Sequence, residues 1–251
     1  MRTVLLAAVA TAVLGQSATP TFEVASIKPH PADLSEGTTL IPAPGGRLTI
    51  LNAPLRVLLL LAYRIQKSQL FGGPDWMSSV PFDVTAKAAE DSTTEQMWPM
   101  LQTLLNDRFK IRSHPETREL PVYALVRARM NSSLGPGLNP SESDCTKGQC
   151  DFQLRLGSFH VRGFPMSALT NTLSQYSGRL VIDRTEITGP QNVDLTWAAE
   201  TVSVNQPNSP AEANAPSLFT AVQEQLGLKL ESTKARVEVL VIDHAEKPAP
   251  D

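Results

Sequence analysis

The amino-acid sequence predicts an α+β protein made of two homologous βαβ-type repeats, each a small mixed sheet with helices on one face. A near-repeat is the first reason. Gly46-Arg47-Leu48-Thr49-Ile50-Leu51-Asn52-Ala53-Pro54-Leu55 returns in pattern, 111 residues later, as Gly157-Ser158-Phe159-His160-Val161-Arg162-Gly163-Phe164-Pro165-Met166. The spacing carries on without a gap from Phe82-Asp83-Val84-Thr85 to Val193-Asp194-Leu195-Thr196. Periodicity is the second reason. Short runs that alternate apolar and polar residues, as half-buried strands do, are interleaved with apolar residues at helical spacing. The third is the way each half closes: Phe109-Lys110-Ile111 leads to an apolar stretch at 122–126, and Leu228-Lys229-Leu230 to another at 237–242.

Taken in order, Phe22-Glu23-Val24-Ala25-Ser26-Ile27 alternates and reads as a strand, followed by a proline-rich loop to Pro44. Leu48 and Ile50 alternate with Arg47 and Thr49 in a second strand. Pro54 stands where a first helical turn tolerates proline, and Leu55, Leu58, Leu59, Ala62 and Tyr63 share one helical face. Gly72-Gly73-Pro74 is a turn, and 82–86 a strand. Thr93 or Thr94 caps a helix bearing Met97, Trp98, Leu101, Leu104 and Leu105, with Pro99 near its start. Residues 109–113 and 122–126 are expected to pair as antiparallel strands across a connection from Pro115 to Pro121. The second half repeats the order: strand 158–162, helix 165–177, strands 180–183 and 192–197, helix 217–226, strands 228–232 and 236–243. Ser217 caps the last helix, and Gly227 follows its end. Matched apolar positions (Leu48/Phe159, Ile50/Val161, Leu58/Leu169, Phe82/Val193, Leu101/Val222, Ile111/Leu230) imply that each half buries its own core. The expected repeats are 20–129 and 152–246. Between them 130–151, rich in Gly, Pro, Ser and Asn, reads as a linker, and 247–251 as a frayed tail.

Hydrophobic residues make up 41% and charged residues 19% of the chain, a globular balance. The net charge of −3 supplies no polybasic surface for nucleic acid. Residues 1–17 read as a signal peptide. Arg2 gives a positive start, and the uncharged run from Val4 to Leu14 is shorter than the ~20 residues that span a bilayer. The alternative is a buried first helix. No later stretch is long enough to cross a membrane, so the expected location is the periplasm or the medium. In that setting Cys145 and Cys150, which enclose Thr146-Lys147-Gly148-Gln149, are expected to form a local disulfide that fixes a loop. A two-ligand metal site is the alternative, although no histidine lies close in sequence.

Several strings carry a family resemblance: Phe22-Glu23-Val24-Ala25-Ser26-Ile27-Lys28-Pro29, Gly72-Gly73-Pro74-Asp75-Trp76, and the run from Phe109 through Arg118-Glu119-Leu120-Pro121-Val122-Tyr123. Ser217-Leu218-Phe219 onward to Gly227-Leu228-Lys229-Leu230-Glu231, and Val239-Leu240-Val241-Ile242-Asp243-His244, extend it over nearly all of the mature chain. In these strings the chain resembles a family of exported soil-bacterial proteins known as a domain of unknown function. Some members are fused behind a membrane metallopeptidase of the kind that senses β-lactams, which implies an external sensing role by analogy. This chain has no His-Glu-x-x-His motif. Within each half, Phe159-His160-Val161, Pro165-Met166-Ser167-Ala168-Leu169, Ser177-Gly178 and Leu226-Gly227-Leu228-Lys229-Leu230 resemble the short N-terminal module of secretins and TonB-dependent receptors. That resemblance implies a non-catalytic unit that docks periplasmic partners.

The residues themselves encode no catalytic constellation and no cofactor or metal site. His30, His114, His160 and His244 show no i, i+4 pairing, and no serine sits in Gly-x-Ser-x-Gly. Ser113-His114 and Asp243-His244 are neighbours whose side chains leave a strand on opposite faces. Asp83 and Asp194 stand at matching places in the repeat. A facing pair of carboxylates could do acid–base work, and the plainer reading puts each on the polar side of its strand. Arg112, Glu116, Arg118 and Glu119 read as a solvated charge cluster. Trp76 follows a turn, where an exposed indole would suit a binding groove and a buried one the core.

The expected function is therefore that of an exported, non-catalytic binding or sensory module of the cell envelope. It would dock a protein partner or a small ligand near the junction of the two repeats, with Trp76, Asp83, His114 and Asp194 as the binding candidates. The rival is an extracytoplasmic, hydrolase-like enzyme whose site is assembled from both halves. Export carries its own test. N-terminal sequencing of the exported protein is expected to find a start between Gln16 and Thr19, and an intact Met1 would contradict the signal peptide.

Overall fold

The structure, a computed structural model, describes residues 19–31, 37–89, 91–129, 134–145, 151–198 and 215–249. The expected signal peptide and Cys150, the partner expected for Cys145, lie outside the described residues. Among those described are twelve strands in three sheets and five α-helices. The first half runs β1 (Val24–Pro29), β2 (Thr39–Ala43), β3 (Arg47–Pro54), α1 (Leu55–Tyr63), β4 (Leu70–Gly72), α2 (Trp76–Ser79), β5 (Pro81–Lys87), α3 (Thr94–Arg108) and β6 (Arg112–Arg127). The second runs β7 (Leu138–Pro140), β8 (Phe152–Arg155), β9 (Ser158–Phe164), α4 (Met166–Ser177), β10 (Val181–Asp183), β11 (Gln191–Thr196), α5 (Leu218–Leu226) and β12 (Leu228–His244). No described helix is long and apolar enough to cross a membrane.

The chain divides into two compact units. The first comprises the described residues of Met1–Tyr63, Pro74–Arg112 and His244–Asp251. Its sheet is antiparallel, in the order β1-β5-β3-β2. The alternation read in the sequence buries Leu48, Ile50, Phe82 and Val84, and α1 buries Leu55, Leu58, Leu59 and Ala62. Thr93 opens α3 with a capping box: its hydroxyl accepts the Gln96 N–H, while Gln96 Oε1 accepts the Thr93 N–H at 2.9 Å. Met97, Leu101 and Leu105 are buried, one helical stripe. Trp98 lies one position off that stripe and is only half-buried. Gln102 Nε2 donates to the Ala62 carbonyl at 2.7 Å and so fastens α3 to the end of α1.

The second unit comprises the described residues of Arg64–Gly73 and Ser113–Asp243. It contains an antiparallel sheet in the order β7-β11-β9-β8 and a second sheet in the order β10-β6-β12-β4. Phe159, Val161, Leu169, Leu173, Leu195, Trp197, Val222 and Leu226 lie in one buried cluster. The Ser217 hydroxyl accepts the Thr220 N–H at 3.2 Å, and Gly227 ends α5 in the left-handed region at φ 68°.

Three findings correct the expectations. The first concerns the mixed sheet expected inside each half. The antiparallel sheets have corresponding strand orders, but the mixed sheet draws on both halves. β4 pairs parallel with β12, Leu70 beside Leu240, while β10 pairs parallel with β6, Val181 beside Tyr123. The long strands β6 and β12 are neighbours. His114 meets Asp243 and Glu119 meets Lys234, so an advance along one strand is a retreat along the other, and the two are antiparallel.

The second correction is that neither half closes on a hairpin. β6 is one strand of 16 residues and β12 one of 17. Pro115 and Pro121 sit inside β6. The Tyr123 N–H donates toward β10, to the Leu180 carbonyl at 2.9 Å, so every second residue back from Tyr123 presents its nitrogen to that side. β10 pairs only with residues 123–125 of β6. Both prolines therefore lack an N–H on the side that needs none, and they blunt an open strand edge.

The third correction is in register. In β3, Leu51 and Asn52 bulge opposite Asp83; in β9, Arg162 and Gly163 bulge opposite Asn192. The Asn52 N–H donates to Asp83 Oδ1 at 2.9 Å, and the Gly163 N–H to Asn192 Oδ1 at 3.1 Å. Asp83 thus corresponds to Asn192 and not to Asp194. By the same register Phe82 corresponds to Gln191, although Phe82 and Val193 are both buried. The matched spacing shortens from 111 to 109 after β4 and β10, because the segment holding α2 is two residues longer than its counterpart. Of the other matched positions, Ile111 and Leu230 are only half-buried; the remaining pairs are buried on both sides.

The stretch read as a linker is held in place where described. It carries β7, and the Gly135 and Gly137 N–H groups donate to the Leu226 and Gln225 carbonyls at 3.0 and 2.8 Å, capping the end of α5. A Cβ on Gly135 would stand 2.3 Å from the Gln225 oxygen. Gly135→Ala is accordingly expected to destabilise the protein by about 1–3 kcal/mol, seen as a lower urea midpoint with unchanged slope.

Candidate functional site

Each of the four histidines lies beside a carboxylate. His160 and Asp194 are register partners on neighbouring strands, His114 and Asp243 lie on the neighbours β6 and β12, and His244 and Glu246 are two residues apart in one segment. His30 Nδ1 lies 2.8 and 3.0 Å from the two Asp83 oxygens. His114 Nδ1 lies 2.8 Å from Asp243, His160 Nδ1 3.0 Å from Asp194, and His244 Nε2 2.9 Å from Glu246. None of these pairs recruits a third ligand: no group of three potential metal ligands occurs among the described residues.

The binding candidates read from the sequence divide between the two units. Trp76 stacks on Phe109 with ring centroids 6.2 Å apart and meets the edge of Phe82, so the indole extends the first unit's core. Its half-buried ring is overlaid by the Lys247 ammonium at 6.0 Å. Asp83, in the same unit, holds the β3 bulge and His30. His114 and Asp194 belong to the second unit and share no partner there. Cys145 Sγ lies 3.2 Å from the Arg162 carbonyl oxygen, and no described cysteine is free.

A groove of about 500 Å³ opens on the mixed sheet. Ala124 of β6, Ile182 of β10, Arg184 just beyond it and residues 231–236 of β12 line it, so strands from both sequence halves build its floor. None of the four candidates contributes to this lining. Tyr123, Leu125 and Val181 turn toward the buried cluster of the unit. Alternation along the strands then sends Ala124 and Ile182 to the opposite face. The lining bears three cations, Arg184, Lys234 and Arg236, and one carboxylate, Glu231, which Lys229 holds at 2.6 Å. Arg179 Nη1 donates to Ser232 Oγ of the lining at 3.3 Å, and its guanidinium lies 5.2 Å over the Tyr123 ring. Phe219, 42% exposed, meets that ring at 5.3 Å. Sequence reasoning missed these residues because it placed a hairpin turn at 233–235. The available signal was Lys234 and Arg236, two cations at strand spacing.

Asp194 has the most developed electrostatics. Desolvation pushes its carboxyl up, but hydrogen bonds from Arg162 and His160 outweigh that and hold it below the usual value of 3.8. Arg162 Nη2 donates to Oδ1 at 2.8 Å while Nη1 reaches the Val161 and Val193 carbonyls, which clamps β9 to β11. A depressed carboxylate contributes stability that is complete above pH ~3.8 and is lost as pH falls through the folded value. With the side chain 44% exposed, solvent screening limits the effect to roughly 0.2–1 kcal/mol. Asp194→Asn is expected to flatten the acid limb of a stability–pH profile below about pH 4. An unchanged limb would remove this pairing from the account of acid stability.

No curated protein and no solved structure matches the chain. A family model, described as a protein of unknown function (DUF3738), matches residues 56–245, which contain the groove and every residue that lines it. By that match the chain belongs to the DUF3738 family of proteins of unknown function.

Proposed function

We propose that the chain is an exported, non-catalytic binding or sensory module of the cell envelope. In this reading it consists of two copies of one βαβ-type unit that trade short strands, and its ligand or partner docks in the groove where the copies interleave. The supporting observation is the composition of the mixed sheet. A groove floored by strands of both halves exists only when both are folded together, which suits a device that reports occupancy. The order β-β-β-α-β-β-α-β, which each half follows once the short helix α2 is set aside, supports the duplication. So does the shared bulge opposite Asp83 and Asn192. The resemblance of each half to the short docking module of secretins and TonB-dependent receptors points the same way, as does the external position of this domain in members fused to a metallopeptidase.

The rival, an extracytoplasmic enzyme assembled from both halves, calls for close polar residues with shifted pKa values inside a cleft. Asp194, whose carboxyl is shifted, lies outside the groove, and its oxygen is occupied by Arg162 and His160. The binding reading is tested by filling the groove. Mature protein and an Ala235→Trp variant are each used to capture material from envelope extract, and proteins and small molecules are both identified by mass spectrometry. Capture by the native protein that the variant loses is expected. Equal capture by both would move the site elsewhere, and turnover of an envelope compound would favour the enzyme.

A further inference from the structure

On the reading that the groove holds a ligand, we infer that the ligand is an oxyanion, a small molecule or headgroup bearing phosphate or carboxylate groups. The chain as a whole is acidic, with a net charge of −3, yet three cations and one carboxylate line this groove. That carboxylate, Glu231, is already neutralised by Lys229 at 2.6 Å. Lys234 lies 3.3 Å from Glu119, a long contact between groups that are 71% and 62% exposed, and one that an incoming anion can displace. Arg184 and Arg236 are exposed and make no ion pair among the described residues. A guanidinium is never deprotonated at working pH, and its planar fork matches the paired oxygens of a phosphate or carboxylate. Two such forks and a lysine in one lining supply the donors that an oxyanion needs.

The neutral lining fits the same ligand. Ser232 Oγ accepts from Arg179, which leaves its own hydrogen to donate outward. Ala124 and Ala235 carry no side chain large enough to fill the groove. A volume of about 500 Å³ accommodates a small molecule or a single headgroup.

The test is titration of the mature protein with pyrophosphate, with citrate and with an uncharged disaccharide, following backbone amide shifts of Arg184 and residues 232–236. Vesicles of phosphatidylglycerol and of phosphatidylcholine form a second arm. Saturable shifts with pyrophosphate or citrate, weakened at least tenfold in Arg184→Ala/Arg236→Ala and by raised salt, are expected. Arg236→Lys, which keeps the charge and loses the fork, is expected to fall between. Response to phosphatidylglycerol vesicles alone would assign the oxyanion to a lipid headgroup, and response to the soluble anions to a free ligand. Anion affinity unchanged in the double variant would overturn the inference. So would an envelope compound without charge that occupies the groove and is blocked by Ala235→Trp. That last result would leave the binding reading standing, whereas the absence of any occupant would remove both.

Discussion

The pairing of β6 with β12 is the constraint on which the second unit depends. Each is about three times the length of an ordinary strand, and among the described residues each is covered along its outer side by only three, from β10 or β4. A strand edge left open in this way invites pairing with other chains. The fold answers with two measures. It sets the long strands side by side, so that each shields one edge of the other. It also gives each long strand the short strand of the opposite half. Pro115 and Pro121 then disarm part of what remains open on β6. A loss of either short strand would expose more edge in the middle of the chain, not at a terminus.

The exchange also explains where function can reside. Strands that come from both halves create surface that neither half owns, and the groove over Ala124, Ile182 and residues 231–236 is surface of that kind. Charge follows from the same geometry. Lys234 and Arg236 are two residues apart on β12, and Arg184 lines the same groove because β10 lies against β6. The histidine–carboxylate pairs, by contrast, are used in fastening: Asp83 on the β3 bulge, and Asp194 with Arg162 between β9 and β11.

Much of the fold was legible in the chain. The helix caps at Thr93 and Ser217, the buried stripe of α1, and the strands β3, β5, β9 and β11 all follow from local rules of periodicity and capping. Three things were not. The prolines of β6 look like turn residues unless the side on which each nitrogen points is known. The two-residue change in register is invisible because Val193-Asp194 matches Phe82-Asp83 in pattern, while the hydrogen bond from the bulge selects Asn192 instead. The linker glycines look flexible, yet two of them cap α5 at distances no side chain would permit.

The sequence by itself determined the mixed α and β content, the positions of the main helices and of strands β3, β5, β9 and β11, and the caps that bound α3 and α5. These are properties of short windows, set by side-chain period, capping and composition. Tertiary structure decided which strands pair with which, and with that the location and charge of the groove. Strand pairing joins residues as far apart as Leu70 and Leu240, and backbone hydrogen bonds carry no residue-specific label. Only the packing of the whole second unit selects between a half that closes on itself and one that trades its short strand with the other.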